Sequence, residues 1–256
     1  MSIEHSTVLI TGATGKLGRS FAHGFAGLRC NVAFTTRGGD AARSLEKECL
    51  DLGAPNVACV VVDLTSEDAP AVIAAQLSER KMLPDILVNN ARDLKYLQPG
   101  PDGRPTRSGW QGELMLGVVL PHALTMAFAE LQGSPLEKVI NVASIYGITA
   151  TNLTLYQGAD SAAPVHYGVA KAALIHLTKE LAVRLAHRKI AVNAVSYGGV
   201  AGRADPAFHE RYGRLCPAGR MLDDAEVFGA VRFLASDDSS GMTGHNLVVD
   251  GGWTVW

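Results

Sequence analysis

The chain has 256 residues, 47% of them hydrophobic, enough to bury the core of one large α/β domain. Its 23 basic and 25 acidic side chains nearly cancel, so no field of one sign is available to hold a nucleic-acid backbone or an anionic membrane. Four cysteines, at 30, 49, 59 and 216, form no C-x-x-C pair, and the histidines at 122, 166, 176, 187, 209 and 245 show no metal-ligand spacing; core thiols and no metal are expected.

The opening "MSIEHSTVLITG" enters a strand at 7–12 almost at once, without a basic-then-apolar leader pattern, and no apolar run is read as reaching the roughly 20 residues that span a bilayer. A cytoplasmic setting is the expectation. The strand runs straight into "TGATGKLG" (11–18), which opens a helix over 16–28 and places Gly12, Gly15 and Gly18 at the turn. Glycine there lets backbone approach a pyrophosphate, and the amino end of the helix offers free N–H groups and a favourable dipole.

A second strand, 31–36, ends in Thr36 and Arg37, where an NAD binder tends to carry an acidic residue for the ribose 2′-hydroxyl. The planar fork of Arg37 suits a 2′-phosphate instead, so NADP(H) is expected in preference to NAD(H). A helix over 41–52 leads to a strand over 56–63 that ends at Asp63, which can accept a hydrogen bond from an adenine amino group or cap the following helix at 66–80; both readings stay open. The fourth strand, 85–90, leaves through "NNARDLKY", with Arg92 where a tight turn would more naturally take glycine. Arg92 is read as a phosphate or ribose contact, or as part of the substrate rim.

Beyond a helix over 110–132, the strand 138–144 ends at Ser144, whose hydroxyl can hydrogen-bond a substrate oxygen as charge develops on it. The helix over 165–187 carries Tyr167 and Lys171 four apart, on one face and about 6 Å from each other. A free phenol is a poor acid or base near neutrality, and an adjacent ammonium favours the phenolate, so the pair can move a proton. His166, beside Tyr167, is read as a helix-start residue half in solvent. A strand over 189–196, a helix over 223–235 and a strand over 245–252 complete the series. The βαβ rhythm predicts a single-domain, doubly wound Rossmann-type sheet of seven parallel strands over 1–256. Three long loops, 92–109, 146–164 and 197–222, each follow the carboxyl end of a strand, the edge at which such sheets bind ligands.

Taken together, these residues resemble the short-chain dehydrogenases/reductases of the compact, roughly 250-residue kind. The resemblance runs over essentially the whole chain and rests on the glycine turn, Asp63, Asn89-Asn90-Ala91, Ser144, Tyr167-x-x-x-Lys171, Asn193 and the terminal "TGHNLVVDGGW". It implies Tyr167 as general acid/base, Lys171 as tuner of the phenol and ribose ligand, and Ser144 as the group that orients the reacting oxygen. Implied cofactor contacts are Gly12, Thr14, Gly15, Lys16, Leu17, Arg37, Asp63, Leu64, Asn89, Asn90, Ala91, Tyr167, Lys171, Gly198 and Val200.

Three departures stand out: Gly117 takes the usual asparagine position, Tyr197 that of a proline, and the threonine that often meets the carboxamide is missing near Gly202. A finer likeness, in "NNAR", "SYGGVAGR" and "DGGWTVW", is to oxidoreductases of flagellin glycosylation and surface polysaccharides. With Arg92, Arg203 and Arg211 as candidate substrate ligands, it implies a polar, anionic sugar or sugar-acid type substrate, since guanidinium pairs bidentately with carboxylate and phosphate. The alternatives are an epimerase or dehydratase using bound NADP catalytically, and a non-catalytic dinucleotide sensor. The family likeness also implies a dimer through the two apolar helices at 110–132 and 165–187 and often a tetramer through the C-terminal strand, with a homotetramer expected first and a dimer second.

Overall fold

Seven short runs rich in Val, Ile and Ala alternate with helical stretches, and the central ones become strands because both of their faces find apolar cover. In a computed structural model, which describes residues 3–156, 164–202 and 205–256, the strands are β1 (Thr7–Ile10), β2 (Asn31–Thr36), β3 (Val57–Val61), β4 (Ile86–Asn89), β5 (Lys138–Ser144), β6 (Ala191–Tyr197) and β7 (Asn246–Val249). All pair in parallel, in the order β3-β2-β1-β4-β5-β6-β7. The helices are α1 (Lys16–Gly27), α2 (Asp40–Asp51), α3 (Ala69–Glu79), α4 (Arg107–Leu114), α5 (Leu120–Glu130), α6 (Val165–Leu185), α7 (Pro206–Leu215) and α8 (Asp224–Ala235).

Alternate strand residues feed two cores. Val8, Ile10, Ile86 and Val88 pack with Phe21, Phe25 and Val231 of α1 and α8 on one face, and Leu9 and Leu87 pack with Ile73, Leu124 and Leu181 of α3, α5 and α6 on the other. Burial of each large side chain contributes about 2–3 kcal/mol, so the central strands are held from both sides. Because β1 and β4 are neighbours in space but belong to the two halves of the sheet, the chain turns away in opposite directions from their carboxyl ends. That divergence opens a crevice lined by Gly12 and Asn90.

Two elements differ from the sequence expectation. The stretch 197–222 is not loop throughout, since it contains α7, started by Asp205, whose carboxylate accepts the Phe208 N–H at 2.7 Å, and by Pro206 in the first turn. The helical run Arg107–Glu130 is 24 residues long and, by length and composition, apolar enough to cross a membrane, contrary to the expectation that no run is. Leu116, Leu120, Leu124 and Phe128 of this run are buried in the core. Between α4 and α5 it widens into a π-helical turn, Met115–Val119, centred on Gly117.

Candidate active site

The turn after β1 is shaped by glycine where no other residue fits. Gly12 has φ +66, and a Cβ there would stand 2.9 Å from the Cα of Ala91; one on Gly18 would stand 2.5 Å from the Gly12 carbonyl oxygen. Asn90 locks this turn to the end of β4: its side-chain amide donates to the carbonyls of Thr11 at 2.9 Å and Gly12 at 3.2 Å. The Thr11 hydroxyl in turn accepts the N–H groups of Asn90 and Ala91. No side chain caps the amino end of α1 at Gly15. Uncapped N–H groups over a turn with glycine at 12, 15 and 18 fit the pyrophosphate of a dinucleotide.

A cleft of about 480 Å³ runs from this turn along the sheet edge. Of the residues expected to hold a cofactor, Gly12, Thr14, Gly15, Lys16, Leu17, Arg37, Asp63, Leu64, Asn90, Ala91, Tyr167 and Lys171 line it, and so does Arg92. The two sets that sequence reasoning derived separately, the glycine turn and the Tyr/Lys pair, thus face one space. Asp63 does not cap α3, whose first turn begins beyond Asp68; its Oδ1 instead accepts the N–H and hydroxyl of Thr65, which hold its carboxyl below the usual range.

Lys171 is buried, and its Nζ donates to the carbonyl of Val142 at 2.6 Å. Burial, and then the Arg92 guanidinium, push this ammonium down to about 8, with Glu113 acting in the opposite sense. The guanidinium of Arg92 lies over the Tyr167 ring, 4.3 Å from its centroid, while Lys171 Nζ is 5.8 Å from the same point. The Tyr146 ring meets Tyr167 edge-on at 6.5 Å, and the Tyr146 hydroxyl is 2.8 Å from that of Tyr156. Glu113, on α4, is buried close enough to feel Arg92 and Lys171; burial pushes its carboxyl up and those two cations pull it back.

Other expected residues lie off the cleft lining. Ser144 is at the end of β5, 6% exposed, with its hydroxyl accepting the Tyr146 N–H at 3.2 Å. Asn89 is buried in β4 and donates to Asn141, which donates to Thr178 of α6, each at 2.9 Å; Asn89 Oδ1 has no partner among the described residues. Gly198 is set against the Tyr212 hydroxyl, and Val200 bridges to Leu222. Lys16 lines the cleft, yet its Nζ pairs with Asp224 of α8 at 3.1 Å. Arg211 does not reach the cleft: its Nε donates to the Leu155 carbonyl at 2.8 Å, so it ties the 153–155 turn to α7. Arg203 lies outside the described residues. His166 is buried, not half in solvent, with Nε2 at 2.7 Å from the Tyr96 carbonyl and Nδ1 lacking a partner among the described residues.

The four thiols are free and, apart from the half-buried Cys59, buried; burial pushes Cys30 and Cys49 up to about 12. No group of three or more His, Cys, Asp or Glu suited to a metal occurs among the described residues.

Sequence reasoning missed Asp93, Lys95 and Glu113. Asp93 and Lys95 line the cleft directly after Arg92, and a reading of that loop for paired charges would have found them. Glu113 sits in "GELML", a lone carboxylate on an apolar helix, and that alone marks it.

Comparison with known proteins agrees with this geometry. Residues 12–254 match the family model described as enoyl-(acyl carrier protein) reductase. The uncharacterized oxidoreductase YgcW of Escherichia coli (strain K12) is 30% identical over 99% of this chain and 94% of its own length. Galactitol 2-dehydrogenase (L-tagatose-forming) of Cereibacter sphaeroides is 29% identical over 99% and 97%. A post-translational flagellin modification protein of Campylobacter coli is 36% identical over 45% of each chain. Among solved structures, a short chain dehydrogenase from Leptospira borgpetersenii with bound NAD+ superposes with a TM-score of 0.84 at 26% identity, covering 98% of this chain and 93% of that one.

Proposed function

The chain belongs to the short-chain dehydrogenase/reductase family, and on that premise we propose that it is an NADP(H)-dependent oxidoreductase acting on a carbonyl or alcohol of a polar, anionic substrate of sugar or sugar-acid type. One observation carries the reading: the glycine turn, Tyr167, Lys171 and Arg92 line a single cleft. When bound, the nicotinamide supplies or accepts the hydride. The chain's own part is to hold the nucleotide and move a proton. The Tyr167 hydroxyl gives its proton to the carbonyl oxygen in reduction and takes it back in oxidation, Lys171 supports the phenol and the nucleotide ribose, and Ser144 orients the reacting oxygen.

The NADP(H) preference is supported by Thr36 in place of an acidic residue at the end of β2, and by Arg37 and Lys95 at the cleft rim. The substrate class is supported by Arg92, whose guanidinium rests on the ring that carries the reacting hydroxyl, and by the polyol substrate of the Cereibacter relative. A homo-oligomer is part of the same reading, since Val119 of the π-turn and Val169 and Val183 of α6 expose apolar surface.

The test is a substrate panel followed through NADPH absorbance at 340 nm. Sugar acids and phosphorylated or nucleotide-linked sugars are expected to turn over faster than apolar ketones, and the reverse order would overturn the substrate assignment.

Arg92 also makes a pH prediction. Because its positive charge disfavours the ammonium of Lys171, Arg92→Gln is expected to raise the Lys171 titration from about 8 toward the ordinary lysine range. The alkaline limb of the kcat/KM profile should then move to higher pH, and a limb that stays in place or moves down contradicts the assignment.

A further inference from the structure

Arg37, the residue on which the NADP(H) preference rests, is already engaged. Its Nη1 lies 2.8 Å from Asp93 Oδ2, and Lys95 Nζ lies 3.4 Å from the same oxygen. The other oxygen, Oδ1, accepts the Lys95 N–H at 3.1 Å and so starts the short 3-10 turn Leu94–Leu97. Asp93 is thereby fixed, with its side chain only 15% exposed, while the Arg37 side chain is 71% exposed. Burial opposes ionisation of Asp93, but the Lys95 N–H and the Arg37 guanidinium outweigh it and hold the carboxyl below its usual range. Arg37 follows β2 and Asp93 follows β4, with β1 between them in the sheet, so the pair spans the cleft above the glycine turn, and both residues line that cleft.

We propose that Asp93 sets how strongly the protein prefers a 2′-phosphorylated dinucleotide, by competing with that phosphate for Arg37. A phosphate monoester brought to Arg37 either shares the guanidinium with a carboxylate that repels it or draws the guanidinium away. A ribose 2′-hydroxyl meets no such repulsion and can donate to Asp93. The carboxylate missing at the end of β2 is therefore supplied from the loop after β4, and the preference belongs to the Arg37–Asp93 pair, not to Arg37 alone. This inference deepens the NADP(H) reading and rests on the same cleft.

The experiment is calorimetric titration of the full chain with 2′,5′-ADP and with ADP, nucleotide fragments that need no turnover. Asp93→Asn keeps an oxygen to accept the Lys95 N–H and removes the charge; Asp93→Ser is a second variant that can also cap the turn. In both, the ratio of 2′,5′-ADP affinity to ADP affinity is expected to rise about tenfold over the wild-type chain. In an Arg37→Ala background, Asp93→Asn should shift that ratio by less than it does with Arg37 present, since only the carboxylate's own repulsion of the phosphate is then removed. Each preparation is read as a ratio of two ligands, so a partly unfolded sample does not alter the outcome. An unchanged 2′,5′-ADP to ADP ratio in both Asp93 variants overturns the proposal. A wild-type chain that favours ADP overturns the NADP(H) reading alone, and the proposal then stands if Asp93→Asn shifts the ratio toward 2′,5′-ADP.

Discussion

Tyr167→Phe is expected to lower kcat about a thousandfold, the size of effect that loss of a positioned acid/base produces, while leaving nucleotide affinity essentially as it was. The ring survives the change, so the Arg92 stack at 4.3 Å and the edge-on Tyr146 contact at 6.5 Å keep their partner, and only the hydroxyl is removed. Steady-state NADPH oxidation and fluorescence titration of NADPH read the two quantities apart. Turnover that survives the substitution would place the proton transfer elsewhere, or identify the protein as a nucleotide binder without chemistry. A joint loss of affinity and turnover would instead make the phenol a nucleotide ligand.

The second large effect is at the other end of the cleft. Gly12→Ala forces a side chain into a left-handed backbone conformation, φ +66, and drives a Cβ to 2.9 Å from the Cα of Ala91, where backbone must move. The two penalties together come to about 3 kcal/mol, which for a chain of this size lowers Tm by roughly 6–12 °C. Dinucleotide affinity should fall with it, because the displaced segment is the cradle itself. Gly27→Ala is the matched control: that residue ends the same helix, and a Cβ there meets nothing within 4 Å. Thermal melts of both variants with and without NADPH check the contrast; similar melts would mean that the turn tolerates rearrangement.

The contrast also shows what kind of information the sequence held. Gly12, Gly15 and Gly18 were legible because a close backbone approach leaves one residue type to choose from. Tyr167 and Lys171 were legible because a helix converts a spacing of four into a shared face. All seven strands were legible from short apolar runs, the central ones from runs with cover on both sides. Asp205 and Pro206 carried a helix-start signal for α7, but it was outweighed by the polar, glycine-rich stretch around them.

The arginines were the hard part, since a long flexible cation can end on any acceptor within several ångströms. Arg92 ended on the tyrosine ring, Arg211 on the Leu155 carbonyl and Arg37 on Asp93. Which acceptor wins depends on residues far apart in sequence, Asp93 with Arg37 and Leu155 with Arg211, and no local pattern encodes that. Asn89 shows the same dependence on distant partners: its motif points to the cofactor, and its side chain is turned inward to Asn141.

That inward turn has a bearing on α6. The helix is apolar around much of its circumference, so greasy packing by itself would tolerate several azimuths about its long axis. Each one-residue slip rotates the helix by about 100° and would swing the phenol away from the nucleotide. Asn89, Asn141 and Thr178 act as a keyed shaft: only one rotation lets the threonine hydroxyl accept from Asn141 at 2.9 Å while it donates to the Leu174 carbonyl at 2.8 Å. The aim of the Tyr167 hydroxyl is thus set three turns down the helix, by side chains that do not line the cleft.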